Sequence, residues 1–558
     1  MLVTLLLSLL IATPLSSSKI SSVQLTRVTS IAFFIAAALS FNGYYVNTLE
    51  SGVSLYSGLF HVSTVSMAVE MFIFVIGGII LLSPWLSKDE PIAEYSMIVV
   101  FSTIGASFLV SSTDLVSLYL AIELQSFAVY ILSALYRNNE SATAAGLKYF
   151  LLGALSSALI LLGSSLIYGY TGLTNLDAIS NLISVPVSLS PETGMEVQNS
   201  VTEGVTLGVV IMSVGFLFKI ASAPFHNWAP DVYDGVPTIV TTWIAVMPKI
   251  SIFVLLLTLH SLTPVMEGFL SVSLMDGQVN VWQALLLVCS LFSLVIGTVV
   301  GLAQLKIKRL LAYSTISHVG FMLLGLAVTG QESIDAFLFY LIQYSLTSVN
   351  AFFVLLAFGY LISDNSSSPV FFGFCRPFSF SKTKKRDLFF PKRGDKKVRD
   401  KMKQALVKKS GAGRGDILFI SQLAGQFRQN PILALSMIIC LFSMAGIPPL
   451  MGFFGKYAVL YSAIHNGYYF ISLVAILTSV VSAAYYLRVV RVLYSAEDLA
   501  AKPSSPSLSS LHIKKGQVIT SSHAYVIAVL TLFIVLFVLQ PSLILNSTQL
   551  MAMSIYGY

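Results

Sequence analysis

GFLFKIASAPFHNWAPDVYDGVPT, residues Gly215 to Thr238, runs an apolar segment onto a lysine and then breaks it on proline. The apolar run begins near Val205, so if it is a helix crossing a bilayer, Lys219 lies roughly 20 Å along it at about 1.5 Å per residue. An ammonium at that depth costs at least about 2.5 kcal/mol, and such charges normally mark function. Pro224 removes a backbone donor and clashes with the preceding turn, while His226 and Asn227 bring polar groups to the interruption. A broken helix at this depth is expected to face protein or water.

The composition around this stretch agrees with a membrane reading. Of 558 residues, 56% are hydrophobic and only 10% charged, which excludes an ordinary soluble domain and makes a polytopic all-α membrane protein the expectation. Cys289, Cys375 and Cys440 are far apart, show no metal-ligand spacing and read as structural thiols. With no dinucleotide fingerprint, phosphate loop or cysteine cluster, any redox cofactor is expected in another chain. Met1 to Pro14 lacks a positively charged start and reads as a first span rather than a signal peptide.

Apolar runs long enough to cross predict about fourteen transmembrane helices. The twelfth contains AGIPPLMGFFGK, Ala445 to Lys456, so spans seven and twelve share a design: an apolar half, a proline break preceded by Ala221 or Ala445, and a lysine nearby. Their odd offset makes them run in opposite directions, as in two inverted five-helix repeats with discontinuous helices seven and twelve. The chain then divides into an N-terminal three-helix segment (1–93), a first repeat (94–262), a second repeat (263–362 and 427–495), a basic insertion (363–426), and a C-terminal loop with the last helix (496–558).

Basic residues gather in alternate loops: Lys19 and Arg27, Lys88, Arg137, then Lys306, Lys308 and Arg309, then Arg488, Arg491, Lys502, Lys514 and Lys515. By the positive-inside rule the odd-to-even loops face the cytoplasm or matrix. The stretch Arg376 to Arg414 is too polar and too positive to bury a core. It reads as a solvated insertion, or as a contact for anionic lipid headgroups such as cardiolipin or for an acidic partner subunit; nucleic acid is not expected on a loop tethered at both ends to membrane helices.

Glu123 lies about ten residues into span five, close to the bilayer middle, and Lys249, beside Pro248, is about eleven residues into span eight. His318 sits at similar depth in span ten, and Lys456 follows the break in span twelve. Desolvation disfavours the charged form of each group and pairing restores it, so a Glu and a Lys that can meet form a switchable unit for moving protons. Glu123 with Lys219, followed by Lys249, His318 and Lys456 linked through water, would make such a path along the membrane plane; buried ion pairs that fix helix register are the alternative. Lys148 is near enough to a helix end to snorkel, Asp114 reads as a helix cap, and Glu70 as either a functional acid or a packing partner.

Together with AIELQSFAVYIL, LKYFLLGALSSALILLG, KRLLAYSTISHVGF and SMAGIPPLMGFFGKYAVL, the opening stretch resembles the proton-pumping membrane subunits shared by respiratory complex I (NADH:ubiquinone oxidoreductase) and multisubunit cation/proton antiporters. FHNWAPDVYDGVPT and Lys456 favour the chain-2 branch, and the likeness covers roughly Glu70 to Arg491 without the basic insertion. The resemblance implies an antiporter-like subunit of the membrane arm that helps translocate protons, coupled to electron transfer from NADH to ubiquinone. It also implies Glu123 and Lys219 as the modulating pair, Lys249 as the central relay and Lys456 as the exit-side lysine. Flavin, iron-sulfur clusters and quinone would then belong to other subunits, with no cofactor bound by this chain. Partners would be the other membrane subunits and lipid, in the mitochondrial inner membrane with odd-to-even loops facing the matrix. A stand-alone or Mrp-type antiporter and a purely structural scaffold are the competing readings.

Overall fold

The computed structural model describes residues 1–15, 22–44, 52–82, 92, 94–137, 139–184, 193–262, 271–274, 277–328, 330–366, 416–495 and 521–555. Cys375, the basic stretch from Arg376 to Arg414, and Lys19, Lys88, Lys502, Lys514 and Lys515 fall outside the described residues.

Three helices open the chain: α1 (Leu2–Leu15), α2 (Ser22–Tyr44) and α3 (Thr64–Leu82), with a small antiparallel hairpin of β1 (Val53–Leu55) and β2 (Phe60–Val62) before the third. The first half continues with α4 (Glu94–Ser111), α5 (Leu115–Ala134), α6 (Glu140–Thr171), the short α7 (Leu176–Ser184), α8 (Thr193–Lys219), α9 (Trp228–Gly235) and α10 (Thr238–Leu262). A second hairpin, β3 (Ser271–Leu274) with β4 (Gly277–Asn280), leads into α11 (Val281–Leu302), α12 (Ile307–Ala327) and α13 (Gln331–Ser366). After the basic stretch come α14 (Gln426–Gln429), α15 (Pro431–Ala445), α16 (Met451–His465), α17 (Tyr469–Tyr494), α18 (Ser521–Leu536) and α19 (Ser542–Ile555).

Each of the expected spans falls on a helix, because lipid offers a backbone no hydrogen-bond partner and an apolar run must satisfy its own N–H and C=O groups. Among the described residues, 11 helices are long and apolar enough to cross a membrane, and α1 and α15 are shorter apolar helices. Local chemistry sets the boundaries. Asp114 accepts from Val116 N at 2.8 Å and caps α5, as its position predicted, and Pro431 occupies the first turn of α15. Two boundaries differ from expectation. α13 extends to Ser366, and Asp416 onward folds back onto the membrane domain although it was read as part of a polar insertion; the last segment holds two helices, split at Pro541.

Enclosure is uneven. The membrane windows of α10 and α12 are each 94% buried within the chain, against 33% for α6, so side chains on α10 and α12 are shielded from lipid by the protein itself. α5 is a boundary helix: Val116, Leu120, Phe127 and Ile131 point outward at the spacing of one helical face.

The two halves match in backbone detail. Gly105 of α4 packs on the backbone of Gln125 in α5, and Gly297 of α11 packs in the same way on Ser317 in α12, with equal sequence spacing. At the breaks, Ala221 (φ 61) and Gly446 (φ 87) are both left-handed, and each stands three residues before a proline in a cis peptide, Pro224 or Pro449. The residue matching Ala221 is therefore Gly446, and not Ala445 as the sequence suggested. This register also corrects the idea of one shared lysine. Lys219 aligns with Met444, Lys456 with Asp231, Glu123 with Thr315, and Ser126 with His318.

Candidate functional site: a buried line of titratable side chains

Span seven stops at Lys219 because the chain turns left-handed at Ala221 and Pro224 cannot donate. The groups this exposes find partners nearby. Ser222 N donates to Leu217 O at 3.0 Å, the Trp228 indole donates to Phe218 O at 2.9 Å, and Ala223 N donates to Ser293 Oγ at 2.8 Å, a residue of the other half. Lys219 is thereby fixed at the end of α8 and buried. Its ammonium donates to Ser126 Oγ (2.6 Å) and Ser157 Oγ (3.1 Å) and lies 3.5 Å from Glu123 Oε1, with side chains only 6% and 12% exposed. The structure thus brings Glu123 and Lys219 together, and two serines from α5 and α6 complete the ammonium's hydrogen bonds.

Lys249, on the enclosed α10, donates to the Tyr344 hydroxyl at 3.1 Å and lies over the Tyr344 and Tyr233 rings at 5.4 and 6.0 Å. Tyr344 in turn donates to Ala245 O at 3.2 Å and its ring centroid lies 5.7 Å from that of His318. His318 Nδ1 lies 2.7 Å from the Tyr340 hydroxyl and Nε2 3.4 Å from that of Tyr486. Tyr340 stacks on Phe321 at 5.8 Å, and the Lys456 ammonium lies over Phe321 at 5.4 Å while donating to Ala445 O at 2.9 Å. From Lys249 to Lys456 the titratable groups are therefore interleaved with aromatic rings and phenol hydroxyls. Among the described residues Lys219 and Lys249 share no hydrogen bond, and the two ends are tied indirectly through Gln125 of α5 and Ser251 of α10, which exchange hydrogen bonds at 2.8 and 3.0 Å.

The sequence reading missed the tyrosines. Tyr340 and Tyr344 stand one helical turn apart on α13, a spacing visible in the chain, but an apolar helix carries many such pairs and only the facing α10 and α12 distinguish this one. One of the lysines behaves as expected and another does not. Lys148 pairs with Asp231, which also holds Arg309 at 2.8 Å, and Lys308, counted among the loop cations, is 1% exposed. Glu70 is half-buried in a cavity of about 350 Å³ that α1, α2, α3 and α4 line together with Ser40 and Ser107.

This arrangement, broken helices carrying buried lysines around an enclosed polar line, defines a class, and comparison with known proteins gives it a family. The family described as NADH:quinone oxidoreductase/Mrp antiporter matches residues 112–369 and 410–482, and the gap between the two falls on the basic stretch. NADH-ubiquinone oxidoreductase chain 2 of Rhizopus oryzae is 43% identical, over 99% of this chain and 98% of the relative. NADH-quinone oxidoreductase subunit N of Rhodospirillum rubrum is 34% identical over 83% of this chain and 78% of the relative. A chain of respiratory complex I from Thermus thermophilus superposes with a TM-score of 0.66 at 25% identity, covering 98% of this chain and 99% of that one. The Mrp complex of Dietzia shares the fold, with a TM-score of 0.69 at 15% identity over 100% of this chain and 96% of that one. The chain belongs to the family of antiporter-like membrane subunits shared by NADH:quinone oxidoreductases and Mrp antiporters. Within it, the chain stands with the chain 2 and subunit N branch.

Proposed function

We propose that this chain is a membrane-arm subunit of a proton-translocating NADH:ubiquinone oxidoreductase, seated in the mitochondrial inner membrane with its odd-to-even loops toward the matrix. Its relatives' names support the complex, and the alternating basic loops support the orientation. NADH, flavin, iron-sulfur clusters and ubiquinone are assigned to partner subunits, and the other membrane subunits and lipid are the expected neighbours. Cardiolipin at the basic insertion remains part of this proposal.

The observation that carries the reading is the buried ion pair of Glu123 and Lys219, set at the last residue of α8 two positions before the left-handed Ala221. Closed, the pair holds the charge on Lys219. Opened, the ammonium loses its counter-charge and its proton can move toward Lys249, which already donates to Tyr344. A phenol hydroxyl can accept one proton and release another, so if the Tyr344 hydroxyl turns away from Ala245 O and water bridges the gaps to His318 and on to Lys456, Tyr344 and Tyr340 can pass charge along this line without becoming charged themselves. Electron transfer in the partner subunits would drive the opening and closing.

The test is Lys219→Met in the assembled complex, which deletes the proton site while keeping most of the apolar volume. Proton flux driven by NADH in sealed membrane vesicles should fall sharply while the complex still assembles. Normal flux per assembled complex would return the pair to a purely structural role.

A further inference from the structure

The chain returns from the basic stretch at Asp416, and this carboxylate does not stay in the loop. Its Oδ2 lies 2.7 Å from the ammonium of Lys308, which is 1% exposed, and its Oδ1 accepts from the Thr238 hydroxyl at 2.6 Å and from Thr238 N at 3.4 Å. Lys308 also donates to Val236 O at 2.9 Å. The following residues hold the carboxylate in place: Ile307 N donates to Leu418 O and Ile420 N to Leu305 O, each at 3.1 Å, with a bridge between Lys306 and Phe419.

Thr238 is the first residue of α10 and Lys308 lies in the first turn of α12. The start of a helix leaves N–H groups without partners, and here the acceptor is supplied by a residue far away in sequence. The same carboxylate supplies the counter-charge for a cation the fold has buried. One side chain thus joins the entry points of two helices from different halves.

Lys249 lies about three turns along α10 from Thr238, and His318 about three turns along α12 from Lys308. Both helices are enclosed by the protein, and only Pro248, directly before Lys249, interrupts the hydrogen-bond ladder between either start and its titratable group, so the height of each start bears directly on the height of the group above it. The two groups meet on one side chain, Tyr344, by a 3.1 Å hydrogen bond and a 5.7 Å ring contact.

We propose that Asp416 is a positioning residue for proton transfer, clamping the starts of α10 and α12 so that Lys249 and His318 stay in register across Tyr344. The inference rests on the relay reading of Lys249 and His318 given above, and goes beyond it by placing a control point at the exit of the basic insertion.

The experiment uses the whole complex in sealed membrane vesicles, with NADH-driven proton flux normalised to assembled complex. Asp416→Ala should lower flux per complex about threefold or more, and Asp416→Asn with Lys308→Gln, a neutral pair of similar shape, should recover it to within about twofold. If Asp416→Ala does not assemble, Asp416→Asn alone is measured in its place. A double-mutant cycle with Tyr344→Phe supplies the readout that a merely structural brace would not move: the combined loss should be smaller than the product of the two single losses, because both act through one contact. Unchanged flux in the Asp416 variant, no recovery in the neutral pair, or strictly multiplicative losses would each overturn the proposal. Lys249→Met separates the two levels. If that variant pumps normally the relay reading itself fails, and if it stops pumping while the Asp416 variants behave as wild type only the clamp fails.

Discussion

Ala221 and Gly446 occupy the same place in their two breaks, with φ of 61 and 87, each followed three residues on by a proline, yet the lysines nearby are not equivalent. Lys219 is the last residue of α8 and meets Glu123, whereas Lys456 lies beyond its break and reaches back to Ala445 O, the last residue of α15. Both routes bring a lysine to the C-terminal end of a half helix, Lys219 as its last residue and Lys456 through its bond to Ala445 O, where the backbone dipole favours positive charge. Only the first adds a carboxylate, since the position matching Glu123 is Thr315. The repeat therefore conveys a backbone with a charge-accepting pole, and each half supplies its own way of filling it. A paired ammonium can be switched by its partner. One bound to a fixed carbonyl is held in place and is better suited to a terminal station.

That contrast can be broken experimentally. The largest effect is expected from Glu123→Gln or Lys219→Met, each lowering NADH-driven proton flux about tenfold or more, within the range for losing a positioned proton-transfer group. Lys456→Met should cost less, about threefold to tenfold, because its carbonyl partner has no charge to leave uncompensated. If Lys456→Met proved the more damaging, the ranking of paired over carbonyl-bound lysine would be wrong. Moving the first lysine to its counterpart, Lys219→Met with Met444→Lys, should leave flux as low as Lys219→Met alone, as Thr315 stands where the modulating acid would be; restored pumping would show that position alone suffices. Tyr344→Phe should reduce flux about twofold to fivefold by removing the hydroxyl that Lys249 donates to.

The smallest expected effects concern the backbone, and they have opposite signs. Ala221→Gly relieves a left-handed alanine and should stabilise by up to about 1 kcal/mol, while Gly446→Ala should destabilise by about 1–2 kcal/mol. The second change also crowds the Lys456 stem, since a Cβ at Gly446 would lie 2.9 Å from its Cδ. Thermal unfolding of the purified complex measures both, and equal shifts of the same sign would show that the two breaks are not alike in backbone strain.

The helices and both breaks were legible in the chain because their causes are local: an apolar run must close its own hydrogen bonds in lipid, and a proline cannot continue one. The charged members of the site were legible too, since a lysine or glutamate at membrane depth stands out against its surroundings. What remained hidden is relational. Tyr340 and Tyr344 matter because α10 and α12 face them, which no spacing on α13 reports. Lys308 carries the same sequence signal as Lys306 and Arg309, and its burial rests on two distant partners, the Asp416 carboxylate and Val236 O. The register of the second break was misjudged by one residue because AGIPP offers two small residues and two prolines, and φ alone tells which pair matches Ala221 and Pro224.

Glu123 stands in line with Val116, Leu120, Phe127 and Ile131, the stripe that α5 turns away from its own chain. An acid on that rim is poorly insulated from whatever borders it, because little solvent lies there to screen its field. A polypeptide seated along α5 would sense whether the Glu123 to Lys219 contact is made or broken, and a charge on that polypeptide would bias the contact in return. The boundary between two subunits would then carry electrical news sideways, with no atom crossing it.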